Sequence, residues 1–273
     1  MRRLFLSATL VLTAWAAVAG CADRQVAEPG EPPEQLRVEV LATHPHDPGA
    51  FTQGLEVDGG ELLEGTGLEG RSWLSARPLD TSTVPAVIAP DDRTRVELDD
   101  DLFGEGITVA GDTVWQLTWK DGVALARDRD TLGERRRVDI DGEGWGLCAR
   151  SDDLVMSDGS SELTFRDPVT FAERGQVTVH RDGRAVSQLN ELECAEDGTV
   201  YANVWKTDEI LRIDPATGRV EAQIDASALR DELPAEDAGA VDVLNGIAQI
   251  PGTDRFLVTG KYWPALFEVR FVP

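Results

Sequence analysis

Residues 103–106 read Phe-Gly-Glu-Gly, a lone carboxylate between two glycines, beside an aromatic ring and just ahead of the strand-like run "ITVAGDTVWQLTW". Such a carboxylate is either a turn residue in water or a general acid/base, a role that needs a group able to take and return a proton near neutral pH. The same frame recurs. "FTQGL" at 51–55, "FGEGI" at 103–107, "GWGL" at 144–147, "LNEL" at 189–192 and "LNGI" at 244–247 can be anchored on Gly54, Gly106, Gly146, Glu191 and Gly246, 40 to 55 residues apart. The residue before each anchor is Gln53, Glu105, Trp145, Asn190 or Asn245: an amide, a carboxylate, an indole and two more amides at matching positions. Packing alone would favour apolar side chains there, so the set reads as a polar and aromatic site.

Something must bring five distant positions together. Each anchor is followed by a second strand-like run, "ELLEGTG", "TVWQLTW", "DLVMSDG", "TVYANVW" or "RFLVTGK", ending at Gly67, Trp119, Gly159, Trp205 or Lys261. Third strands follow, clearest in "EILRIDPATGRVEAQID", where two alternating runs flank a Pro-Ala-Thr-Gly turn. Strand, turn and strand at this period mark propeller blades. The expected fold is therefore all-β, a five-bladed β-propeller. Its last unit stops at a third strand, "LFEVRFVP", so "LRVEVLATH" at 36–44 is expected to supply the fourth, an N-terminal strand closing the last blade without a free edge. A β-sandwich with long loops is the other architecture this pattern allows; helices are expected to be scarce, "ASALRDELPAEDAG" being the best candidate for one. In the propeller the five pre-anchor residues meet at the central channel, with Trp119, Trp205 and Lys261 beside them.

The strings "FTQGL", "FGEG", "DGEGWGL", "LNELEC", "YANVWKTDEILRIDPATG", "DVLNGIA" and "FLVTGKYWPALFEV" resemble, in order from about residue 44 to the C-terminus, the glutaminyl cyclase family of plant and bacterial type. The resemblance implies a five-bladed propeller that converts the N-terminal glutamine of peptides or proteins to pyroglutamate with loss of ammonia, without a cofactor or catalytic metal. It makes Glu105 the catalytic carboxylate. It places Phe51, Gln53, Phe103, Trp119, Trp145, Asn190, Trp205 and Lys261 around the substrate, Gln53, Asn190 and Lys261 being the donors available to a developing oxyanion. Gly104 and Gly106 are expected to let substrate approach the backbone closely. One stretch departs from the family pattern: in "LLEGTGLEGRSWL", Gly65 and Glu69 replace a serine and a tyrosine, while Glu64 and Arg71 are kept. A propeller that only binds a peptide or glycan is the competing function.

The N-terminal "MRRLFLSATLVLTAWAAVAG" has two arginines, an apolar run and small residues before Cys21. It reads as a lipoprotein signal over 1–20, with lipidated Cys21, a Pro-rich tether over 21–35 and the catalytic domain over 36–273, giving an exported protein held to the cell envelope by its lipid alone. Losing Arg2 and Arg3 takes the formal net charge from −24 to −26. So acidic a domain is poorly suited to nucleic acid or a polybasic membrane contact and is expected to stay monomeric. Three histidines without an H-E-x-x-H pair give no basis for a zinc site. Cys148 and Cys194 fit either one disulfide or a buried thiol pair.

Overall fold

The computed structural model describes residues 32–235, 237 and 239–273, and it is all-β apart from one turn of helix at Ala228–Asp231. Residues 1–20, Cys21 and most of the tether lie outside the described residues. Antiparallel groups of four strands follow one another along the chain. Thr52–Asp58, Glu61–Thr66, Trp73–Asp80 and Thr94–Glu97 form the first, with Val87–Ile88 pairing beside it. Gly104–Ala110 to Glu134–Asp139 form the next, then Leu147–Ala149 to Glu173–Thr178. Leu189–Cys194 to Arg219–Asp225 belong to a ten-stranded sheet that continues through Glu34–Pro45 into Ala265–Val272, Arg255–Gly260 and Leu244–Gln249. Glu34–Pro45 starts two residues earlier than expected. It pairs antiparallel with Ala265–Val272 and, at its start, parallel with Arg219–Asp225, so N- and C-terminal strands cover each other's edges.

The outer hairpins explain themselves locally. In "IDPATGRV" Asp214 accepts hydrogen bonds from Ala216 N at 2.9 Å and the Thr217 hydroxyl at 2.6 Å, and Gly218 takes φ +74°. The same Asp-x-x-Thr turn, followed by a positive-φ residue, recurs at Asp128–Leu132 and Asp167–Phe171. This repeated turn is a sequence signal that the anchor pattern alone passes over. Beyond the turn, Val220, Ala222 and Ile224 alternate into the core while their neighbours face outward.

The core is a series of layers between neighbouring sheets. Trp115, Leu117, Leu147, Met156 and Phe171 fill one such layer, each large side chain contributing about 1.5–3 kcal/mol by burial. Cys148 and Cys194 are disulfide-bonded and tie two adjacent first strands together. Those first strands, Thr52–Asp58, Gly104–Ala110, Leu147–Ala149, Leu189–Cys194 and Leu244–Gln249, lie side by side in a closed cycle around a common centre.

That closeness is the business of the anchor glycines. A Cβ on Gly106 would stand 2.6 Å from the Trp145 carbonyl oxygen, and Gly106 N donates to that oxygen at 2.8 Å. A Cβ on Gly54 would meet Ile107 N at 2.6 Å, and one on Gly104 would meet the Thr66 oxygen at 2.5 Å. Gly104 and Gly106 therefore make room for neighbouring strands, which corrects the expectation that they make room for substrate. Glu191, the anchor that is not glycine, works differently. Its carboxylate accepts from Leu55 N at 3.2 Å and Ile247 N at 2.8 Å, stapling three first strands across the centre.

Candidate active site

β-Bulges aim the pre-anchor side chains. The pairing register slips at Thr52/Gly54, Gly104/Ile107, Leu189/Leu192 and Leu244/Ile247, which leaves Gln53, Glu105, Asn190 and Asn245 in the bulged positions. An extra residue in one strand re-aims its side chain out of the ladder. Gln53, Glu105 and Asn190, together with Trp145, line one cavity of about 380 Å³ at one end of the central cycle. Asn245 does not reach it. It is fully buried and donates instead to the Thr52 oxygen at 2.9 Å.

The first residues past three second strands complete the wall: Trp119, Trp205 and Lys261 all line the cavity, as do Phe51 and Phe103. The two remaining matching positions are glycines for a steric reason. A side chain on Gly67 would begin 2.3 Å from the Phe103 ring, and one on Gly159 would begin 2.6 Å from the Trp145 indole. The rings form two groups. Phe51 and Trp119 both pack on Phe103, with centroids 6.1 and 5.4 Å away, and Trp145 meets Trp205 edge-on at 5.4 Å. Glu105 and the eight residues that the family resemblance places around the substrate thus line one cavity, whereas Asn245, which the repeat pattern places with them, does not.

Glu105 is buried, and its Oε1 accepts from Gln53 Nε2 at 2.8 Å. No described residue donates to its Oε2, and Glu105 lines the cavity. Burial pushes this carboxyl well above the usual range; Lys261 opposes the rise and Glu143 adds to it. Lys261 sits 4.6 Å from the Phe51 ring centroid, and burial pulls its ammonium below the ordinary lysine value against the attraction of Glu105 and Asp242. The site thus holds an acid that keeps its proton more readily than usual beside a cation that loses its own more readily. The Asn190 carboxamide makes no hydrogen bond among the described residues and faces the same space.

Sequence reasoning missed several participants. Glu143 accepts from Trp119 Nε1 at 2.8 Å and Trp145 Nε1 at 3.0 Å, fixing two indoles with one carboxylate. Burial raises its pKa, but the indole hydrogen bonds and Lys120 outweigh that and leave it lowered. Its position two residues before Trp145, in "DGEGWGL", was the available signal. Lys206, Asp242 and Val243 also line the cavity. Among the described residues no group of three or more His, Cys, Asp or Glu is arranged to hold a metal ion.

Beneath the site lies a buried pair. His46 Nε2 is 2.9 Å from Glu64 Oε1, its Nδ1 is 2.7 Å from the Trp263 oxygen, and Glu64 also accepts from the Thr52 hydroxyl at 2.7 Å. The imidazole faces two acceptors, an arrangement that favours its doubly protonated form. The pair ties the strand that bears Gln53 to the turn that bears Lys261. Burial disfavours the imidazolium, but Glu64 and the Trp263 carbonyl outweigh it, so the His46 pKa is raised from 6.5 while that of Glu64 is lowered from 4.5. Stability from the raised histidine is complete below 6.5 and is lost as pH rises through its folded value. Stability from the lowered glutamate is present above 4.5 and is lost as pH falls through its folded value. His46→Gln is therefore expected to cost about 3 kcal/mol near pH 6, and the cost should shrink as pH climbs past the histidine range. Thermal melts of both proteins from pH 5 to 9 check this; a constant difference would sink it.

A family model described as glutamine cyclotransferase matches residues 9–271 of the chain. A glutaminyl-peptide cyclotransferase of Arabidopsis thaliana is 38% identical over 235 residues, which are 85% of this chain and 71% of that one. The crystal structure of Myxococcus xanthus glutaminyl cyclase matches with a TM-score of 0.77 and 39% identity, covering 88% of this chain and 98% of that one.

Proposed function

The chain belongs to the glutamine cyclotransferase family, and we infer from this membership and the cavity together that it is a glutaminyl-peptide cyclotransferase. It converts the N-terminal glutamine of a peptide or protein to pyroglutamate and releases ammonia. One observation supports Glu105 as the group that moves the protons: a buried carboxylate with one oxygen held by Gln53 and the other free toward the cavity.

The α-amine of the bound glutamine attacks its own γ-carboxamide carbon, forming the ring C–N bond. Glu105 Oε2 takes the proton that the amine must lose. As the tetrahedral carbon collapses, the C–NH₂ bond breaks and the same carboxyl returns the proton, so the group leaves as NH₃. A carboxyl whose pKa burial has raised holds a proton more readily than an ordinary glutamate and is suited to both directions. The Asn190 amide, which has no other partner among the described residues, and the Lys261 ammonium both line the cavity and serve in this reading as donors to the oxyanion, where one donor is typically worth about 3–4 kcal/mol. Phe51, Phe103 and the three indoles hold the aliphatic side chain folded, so that amine and amide stay within reach of each other.

The fold reading is sharpened in the same way: the ten-stranded sheet comprises two blades joined through Glu34–Pro45, making a five-bladed propeller with its N-terminal strand in the last blade. An experimental structure with another number of blades around the centre would overturn that count. A propeller that only binds peptides is disfavoured by the family membership. The deciding assay incubates the protein with a Gln-initiated peptide and follows ammonia release and loss of reactive amine. Binding without either product would refute the proposed activity.

A further inference from the structure

The chain has three lysines against 23 arginines; Lys206 and Lys261 line this cavity, and Lys120 rests on Trp119, part of its wall. Lys261 lies inside. The other two belong to the chain's two Trp-Lys pairs, Trp119-Lys120 and Trp205-Lys206, each just past a second strand. Each ammonium rests 4.0 Å from the centroid of its own indole. Trp119 and Trp145 share Glu143, and Trp145 packs on Trp205, so the two lysines cap the ends of one row of indoles. Lys206 holds φ +64°, a conformation that favours glycine.

Most of the nearby negative charge is already engaged. Glu143 accepts from both indoles and lies 3.5 Å from Lys120. Asp242 takes the Val243 N–H at 2.8 Å and acts on Lys261. Among the described residues no carboxylate comes within ion-pair distance of Lys206, although it lines the cavity. The arginines, by contrast, mostly pair with acids elsewhere on the surface.

We propose that Lys206, assisted by Lys120, selects peptides with a carboxylate immediately after the N-terminal glutamine. This rests on the cyclisation reading above. With the glutamine amine and amide held near Glu105, the rest of the peptide leaves through the mouth, past the two ammonium groups. A protein of net charge −24 repels acidic peptides at long range, so preference for them has to come from local cations, within a Debye length of about 8 Å at physiological salt.

The test compares kcat/KM for peptides identical except for Glu, Ala or Lys after the glutamine. Wild type is expected to favour Glu over Lys by about five- to tenfold at low salt. Lys206→Gln should cut that ratio about threefold, in the upper part of what one exposed ion pair contributes. Lys206→Gln with Lys120→Gln should abolish or reverse it, Lys206→Arg should keep it, and about 1 M salt should erase it. A wild-type ratio near one, or a ratio unchanged in the double variant, overturns the proposal. Quenching of the indoles by pyroglutamyl-Glu and pyroglutamyl-Lys product peptides reads the same selection without turnover. Failure to cyclise even the Ala peptide would refute the cyclisation reading, and the product-peptide ratio would still decide the role of the lysines.

Discussion

Glu105→Gln is expected to fold like the parent and to lose cyclisation by about 10² to 10⁴ in kcat. The substituted amide oxygen still accepts the 2.8 Å hydrogen bond from Gln53, so the bulge and the wall of the cavity keep their shape. Nor should stability fall. Burial already raises the pKa of Glu105 and disfavours its ionised form, so a neutral group of the same size removes a desolvation cost. What disappears is the atom facing the cavity that can gain and return a proton; an NH₂ group at Oε2 does neither. KM should change little, because the rings that hold the side chain are untouched. In the parent, the acid limb of the kcat profile should lie above the ordinary glutamate value of 4.5, following the raised pKa, and the variant should lack that limb. Steady-state ammonia release and a thermal melt of the same preparation check both halves. A folded variant retaining more than about a tenth of the wild-type rate would refute Glu105 as the proton carrier.

How much of this was legible beforehand follows from the physics of each element. The pre-anchor residues could be found because a polar or aromatic side chain at a repeated position contradicts packing, and Gln53, Glu105, Trp145 and Asn190 do line one cavity. Asn245 fits the same pattern yet is buried against Thr52, since its bulge lies beside Thr52 and Gln53, which take its side chain first. Glu143 was harder to find: its place two residues before Trp145 hints at one contact, but that Trp119, 24 residues away, shares the same oxygen appears only in the fold. The His46–Glu64 pair was invisible for a similar reason: the two residues belong to no shared motif, and only folding places the Trp263 carbonyl on the far side of the ring. The disulfide needed the adjacency of two first strands, which two isolated cysteines could not supply.

Gly146→Ala is expected to be among the most damaging single added methyl groups at the described residues. The "GWGL" glycine was legible as an anchor, but its sequence gives no measure of how tightly it is held. In the folded protein a Cβ there would lie 2.0 Å from the Asn190 oxygen and 2.9 Å from both the Asn190 carbonyl carbon and Glu191 Cα. All three are backbone atoms of a neighbouring first strand, and no side-chain rotation relieves the clash. That strand cannot simply retreat. The Asn190 oxygen accepts from the Ser157 hydroxyl at 2.7 Å, and Glu191 is bonded to Leu55 N and Ile247 N across the centre. Overpacking of this kind costs about 3 kcal/mol when the surroundings cannot yield, which for a domain of this size lowers Tm by roughly 6–12 °C. Because Asn190 itself must move, the protein that remains folded should also lose the oxyanion donor, so kcat falls while the rings keep KM nearly constant. Gly133→Ala is the matched control: its Cβ would meet only the Thr131 hydroxyl at 3.4 Å, and its melt should stay within about 0.5 kcal/mol of wild type. Equal melts for the two variants would mean that the first strands have slack, and the glycine frame would then need another explanation than close approach.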